Sequence, residues 1–63
     1  MTEKELSYVE DAVMHEKSII NICNEIFNNL QDENLKTFIQ NEITKHEETK
    51  NNLINLLEVK ANE

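Results

Sequence analysis

"LSYVEDAVMHEKSIINICNEIFNNL", residues 6–30, decides the fold. Leu6, Val9, Val13, position 16, Ile20, Cys23, Phe27 and Leu30 follow one another at alternating steps of three and four. That spacing keeps one side chain per turn on a single helical stripe, and it is sustained over about three and a half heptads. Ala12, Ile19 and Ile26 widen the stripe on one side, as a bundle helix requires. Tyr8, Met14 and Ile22 lie outside it, and Ile22 in particular asks for an extra contact. Upstream, Thr2 followed three residues later by Glu5 forms the pattern of a capping box and predicts the helix start.

Downstream, the pattern breaks at "NLQDEN", residues 29–34. Asp32 is the best N-cap for a second helix, with Glu33 in its first turn, where a carboxylate meets the positive end of the helix dipole. A link this short favours an antiparallel hairpin. The second stripe is predicted to run through Leu35, Ile39, positions 42, 46 and 49, Leu53 and Leu56, flanked by Phe38, Ile43 and Leu57. The closing "VKANE" is expected to fray. The expectation is therefore an all-α fold in one domain, residues 1–63, with helix 1 over about 3–30, a turn at about 31–33 and helix 2 over about 33–60.

The composition agrees. The chain has 63 residues and neither glycine nor proline, which leaves few places for the tight positive-φ turns of an all-β fold. A chain this short is marginal alone. Two helices of roughly 28 residues, each about 42 Å long, carry stripes too wide for a lone hairpin to cover. A second copy completing a four-helix bundle is the expected remedy.

The formal charge of −7 repels phosphate backbones and anionic membrane surfaces, so neither nucleic acid nor membrane is expected as a partner. No apolar run approaches the length of a membrane span. The opening "MTEKELSYVED" lacks a basic segment followed by an apolar core, so no secretory signal is expected. The single Cys23 cannot form an internal disulfide, which fits a reducing compartment.

"EITKHEETK", residues 42–50, poses the chemical question, because Glu42, His46 and Thr49 occupy predicted stripe positions. Helix 1 has one such exception, Glu16. Folding the hairpin near residue 32 sets Glu16 level with a point between His46 and Thr49, and Glu42 one turn away. Two roles satisfy this placement. One is a buried Glu16–His46 layer that fixes register and partner choice. The other is a metal site at a dimer axis, with Glu16, Glu42 and His46 as ligands for iron, manganese or zinc. Glu42 and His46 stand four apart, whereas the usual di-iron bundle motif is Glu-x-x-His, and Ile43 occupies the position three before His46. Asp11 and His15 form a solvated pair on the outer face, and Cys23 reads as a small core residue. No catalytic triad and no Gly-rich phosphate loop can be assembled from the spacing.

"TEKELSYVEDAVMHEKSIINICNEI" followed by "LQDENLKTFIQNEITKHEETKNNLINLL" resembles the short members of the spore coat protein F-like family. The likeness covers nearly the whole chain. It rests on "ELSYVEDAV", on His15–Glu16, on "LQDENLK" at the turn and on His46 ahead of a leucine-rich end. The resemblance implies a ferritin-like half-bundle completed by dimerisation, association with sporulation rather than catalysis, a cytoplasmic or spore-associated location, and other coat or assembly proteins as further partners. Members of that family often carry a second His three residues after the one at position 46; Thr49 stands there in this chain, which removes one ligand from any metal centre of the family type. A third expectation is a small adaptor that pairs with a different partner helix through Ile22 and Met14.

Overall fold

The computed structural model describes residues 1–61. They form two helices, α1 (Glu3–Asn29) and α2 (Glu33–Ala61), packed against each other as an antiparallel hairpin with no strand among the described residues. α2 continues through Ala61, so the fraying expected from Val59 does not begin before it. Asn62 and Glu63, the end of that segment, lie outside the described residues.

Both helix starts are held by the side chains that the sequence offers. At α1, the Glu5 backbone N–H donates to Thr2 Oγ1 at 3.1 Å, and the Thr2 N–H donates to Glu5 Oε1 at 2.8 Å. This reciprocal pair satisfies two donors that the first helical turn leaves open. At α2, the Leu35 N–H donates to Asp32 Oδ1 at 2.9 Å, and the Lys36 N–H donates to the Asp32 carbonyl at 3.0 Å. Between the helices, Leu30 turns extended at φ −86° and ψ 145° while its N–H donates to the Phe27 carbonyl. The connection needs no positive φ among the described residues, which is why it closes without glycine.

On α1 the buried stripe is the one the heptads define. Val13 and Ile20 are buried, and Leu6, Val9, Glu16, Cys23, Phe27 and Leu30 are half-buried. On α2 the stripe is rotated from the predicted one. Lys36, Ile39, Ile43, His46, Lys50, Leu53 and Leu57 point inward, and Ile43 is the most buried residue of the described chain at 4% exposure. Leu35, Thr49 and Leu56 are exposed instead. Glu42 is displaced to the edge of the seam. The physical reason lies in the lysines. Their aliphatic stems cover apolar surface while the ammonium groups reach water, so Lys36 and Lys50 can stand on a seam that Glu42 and Thr49 leave. Lys36 Nζ sits 5.2 Å from the centre of the Phe27 ring, a cation–π contact at the turn end.

The Cα atoms span 47 × 15 × 11 Å, with a radius of gyration of 14.6 Å against about 10.6 Å for a compact chain of this length. Among the described residues, the buried ones are Val13, Ile20 and Ile43, at 7%, 8% and 4% exposure. No helix among the described residues is long and apolar enough to cross a membrane.

The hydrogen bonds from Thr2 hold the Glu5 carboxyl below the ordinary carboxylate range. Their contribution to stability is present above the unfolded-state value and is lost as pH falls through the lowered one. Replacing Thr2 by alanine removes the hydroxyl but keeps the N–H of residue 2, so the Glu5 carboxyl should rise only part of the way toward the ordinary range in an NMR titration of its carboxyl carbon. A Glu5 titration that Thr2→Ala leaves unchanged would mean that the Thr2 hydroxyl does nothing to hold the carboxyl down.

Candidate functional site

Midway along both helices, a polar pair interrupts the seam. His46 Nδ1 and Glu16 Oε2 lie 2.6 Å apart; with the carboxylate as acceptor, the Nδ1–H donates. The His46 side chain is 29% exposed and that of Glu16 17%, so both are drawn partly out of water. The geometry follows from the two stripes. Residue 16 is the single polar position in the α1 stripe, and residue 46 is the α2 position that its register brings alongside. The sequence expectation of a Glu16–His46 level is thus what the structure brings together.

The remaining residues of the expected cluster do not join it. Glu42 stands one turn from His46, at the seam edge, and its Oε1 is 3.6 Å from Lys45 Nζ. Thr49 faces solvent. Cys23 is half-buried with a free thiol. Asp11 and His15 are exposed. Among the described residues, no three His, Cys, Asp or Glu side chains of one chain converge closely enough to hold a metal ion. Within one chain, Glu16 and His46 supply one oxygen and one nitrogen donor, which is less than the four ligands of a zinc site. No buried side-chain nitrogen or oxygen is left without a hydrogen-bond partner among the described residues.

Two open grooves lie away from this pair. One, of about 520 Å³, opens at the free ends of the helices between Met1, Glu5, Tyr8, Val9 and Lys60. The other, of about 260 Å³, lies near the turn and is lined by Phe27, Glu33, Lys36 and neighbouring polar residues of α2. Neither gathers a nucleophile with a base.

Sequence reasoning missed what lies beside the seam. In an antiparallel pair, residues just before Val13, Ile20 and Phe27 on α1, and just before Lys36, Ile43, Lys50 and Leu57 on α2, fall on the same side. Tyr8 and Ile22 extend this side on α1, and Phe38 and Val59 extend it on α2. Seven large apolar side chains are exposed there: Tyr8, Ile22, Ile26, Leu35, Phe38, Leu56 and Val59. Tyr8 is 62% exposed, Phe38 59% and Ile22 56%. Met1 and Met14 are the only other exposed large apolar residues among those described. The opposite side carries Glu10, Lys17, Asn24, Gln40 and Glu47. The signal was present in the α1 sequence as Ile22, but the predicted rotation of α2 hid Leu35 and Leu56 in the seam.

No family model, curated protein or solved structure matches the chain.

The Glu16–His46 pair makes a specific expectation. His46→Leu alone leaves a half-buried carboxylate without its donor and should destabilise the fold by about 1–3 kcal/mol. Adding Glu16→Leu should recover most of that loss, because an apolar pair of similar volume replaces a buried ion pair without penalty. Urea unfolding of the single and double variants measures both effects. A single variant as stable as the parent would show that the pair contributes nothing.

Proposed function

We propose that this chain is a structural or assembly protein, of the kind that its resemblance to spore coat proteins implies, acting as a small acidic homodimer whose two hairpins form a four-helix bundle. The observation that carries the proposal is the one-sided distribution of exposed apolar side chains. Singly scattered surface hydrophobes are ordinary, but apolar side chains gathered on one side, in a cluster at each end, mark an interaction surface.

The area points the same way. The hairpin exposes 4937 Å², whereas a compact monomer of its mass exposes about 4200 Å². The surplus is comparable to the roughly 800 Å² that each partner contributes to a standard interface. Three buried side chains, each stabilising by about 1.5–3 kcal/mol, are a small core for a chain of this length. Covering the apolar side adds the burial that the hairpin lacks. In this role the Glu16–His46 layer sets register, and further coat or assembly proteins would add to the dimer at its acidic outer faces. The proposed location is cytoplasmic or on the spore.

A second function is favoured by one observation, the 2.6 Å approach of an imidazole to a carboxylate at mid-helix. In a ferritin-like half-bundle, two such pairs and the two Glu42 side chains would supply a dimer-axis site for iron, manganese or zinc. Light scattering with elemental analysis, on untagged protein purified without chelator, separates the two functions. The proposal expects twice the chain mass of 7.4 kDa and no stoichiometric metal. A dimer carrying near-stoichiometric metal that Glu16→Gln loses would establish the second function, and a particle of 7.4 kDa would overturn both.

A further inference from the structure

The apolar side is not uniform along its length. At the turn end it carries Ile22, Ile26, Leu35 and Phe38, and at the open end Tyr8, Leu56 and Val59. Between them, α2 presents the Glu42–Lys45 ion pair, then Thr49 and Asn52. Read outward from Glu47, the residues that α2 places on this side, though not those of its seam, pair in kind. Leu35 mirrors Val59, Phe38 mirrors Leu56, Glu42 mirrors Asn52 and Lys45 mirrors Thr49. Each apolar residue has an apolar counterpart, and each charged residue an uncharged polar one.

α1 follows the symmetry in part: Tyr8 mirrors Ile22 and the small Ala12 mirrors the large Ile19, both about His15–Glu16, while Ile26 mirrors Glu5 at the helix start. The Glu16–His46 contact fixes how the two centres stand to one another, and it places them on one level. The α2 pattern and the two α1 pairs therefore share a midpoint, as a two-fold axis crossing the hairpin at right angles requires.

From this we infer that the occupant of the apolar side is a second copy laid face to face in the reverse direction, with α1 against α1, α2 against α2 and the turn of each hairpin over the open end of the other. The inference rests on the homodimer proposed above and specifies its arrangement. Most apolar residues then meet apolar ones, large Ile19 meets small Ala12, and Lys45 of one copy meets Thr49 of the other; Ile26 meets Glu5 at the exposed helix start, and the two Glu16 carboxylates meet at the axis, each hydrogen-bonded to its own His46. A two-fold axis running along the helices would instead set Glu42 against Ile19 and Ile22 of the other copy, desolvating a carboxylate against apolar surface.

Charge supports self-association over a basic partner. The chain carries a net charge of −7, yet Glu5 and Glu42 are the only carboxylates on this side among the described helix residues. A face that repels a second acidic copy would show the opposite distribution. Glu16 and His46 sit on the half of the seam nearest this side, so the reversed dimer brings both copies of the pair to the axis and covers their remaining exposure.

The unsubstituted protein allows the test. Phe38 and Leu56 lie 18 residues apart on one helix, about 27 Å, and Tyr8 and Ile22 about 21 Å, too far for nuclear Overhauser contact within a chain. In a mixture of isotope-labelled and unlabelled chains, the reversed dimer gives Phe38–Leu56 and Tyr8–Ile22 contacts between copies. Contacts between copies of Phe38 with Ile22 or Ile26, and of Tyr8 with Leu56, would overturn the reversed arrangement and leave the homodimer standing, as would any other set of contacts between copies. An absence of contacts between copies with a mass of one chain would overturn the homodimer as well.

Discussion

Ile43 turns into the seam and Glu42 is left at its edge, and the rest of the hairpin depends on that rotation of α2. With Ile43 inward, the seam gains its most buried residue. His46, one turn on, is delivered to Glu16 at hydrogen-bond distance. Lys36 is carried to the Phe27 ring, and Lys50 stands on the seam level with Val13. The same rotation moves Leu35 and Leu56 out of the seam and onto the side already occupied by Ile22 and Ile26. One choice of helix phase thus sets the core, the polar pair and the exposed apolar side together.

The sequence made α1 legible because only one stripe through it is apolar at nearly every turn, and its cap residues have few alternative roles. α2 was ambiguous for a physical reason. The predicted stripe collects Leu35, Ile39, Leu53 and Leu56, and the observed one collects Ile39, Ile43, Leu53 and Leu57. Apolar count does not separate them. The difference lies in the remaining positions, Glu42 and Thr49 against Lys36 and Lys50. A carboxylate on a short stem must give up water to enter a seam, whereas a lysine keeps its charge hydrated. Weighing stem length as well as polarity would have chosen the observed phase. The Glu16–His46 pair was legible under either phase, since both retain position 46. Glu42 was read onto the stripe itself, whereas it lies one turn from His46 at the seam edge, with Lys45 Nζ 3.6 Å from its Oε1.

In the proposed homodimer, the polar middle and apolar ends of the exposed side would fix the position of the second copy. Apolar surface alone would allow two copies to slide by a turn at little loss. A charged and hydrogen-bonding centre makes most such shifts oppose a polar group to an apolar one, which is the use of buried polar residues best supported in helical assemblies. The half-buried Glu16–His46 pair does this within the hairpin, and in the proposed homodimer Glu42, Lys45 and Thr49 would do it on the apolar side.

The central claim is that the apolar side is buried in the native protein, so that folding and association are linked. The most direct measurement is the midpoint of thermal unfolding of the unsubstituted chain, followed by circular dichroism over a hundredfold range of concentration. A dimer that unfolds to separate chains must show a midpoint that rises with concentration. A midpoint independent of concentration, with a single-chain mass throughout, would mean that the hairpin is stable with its apolar side in water, and would contradict the account.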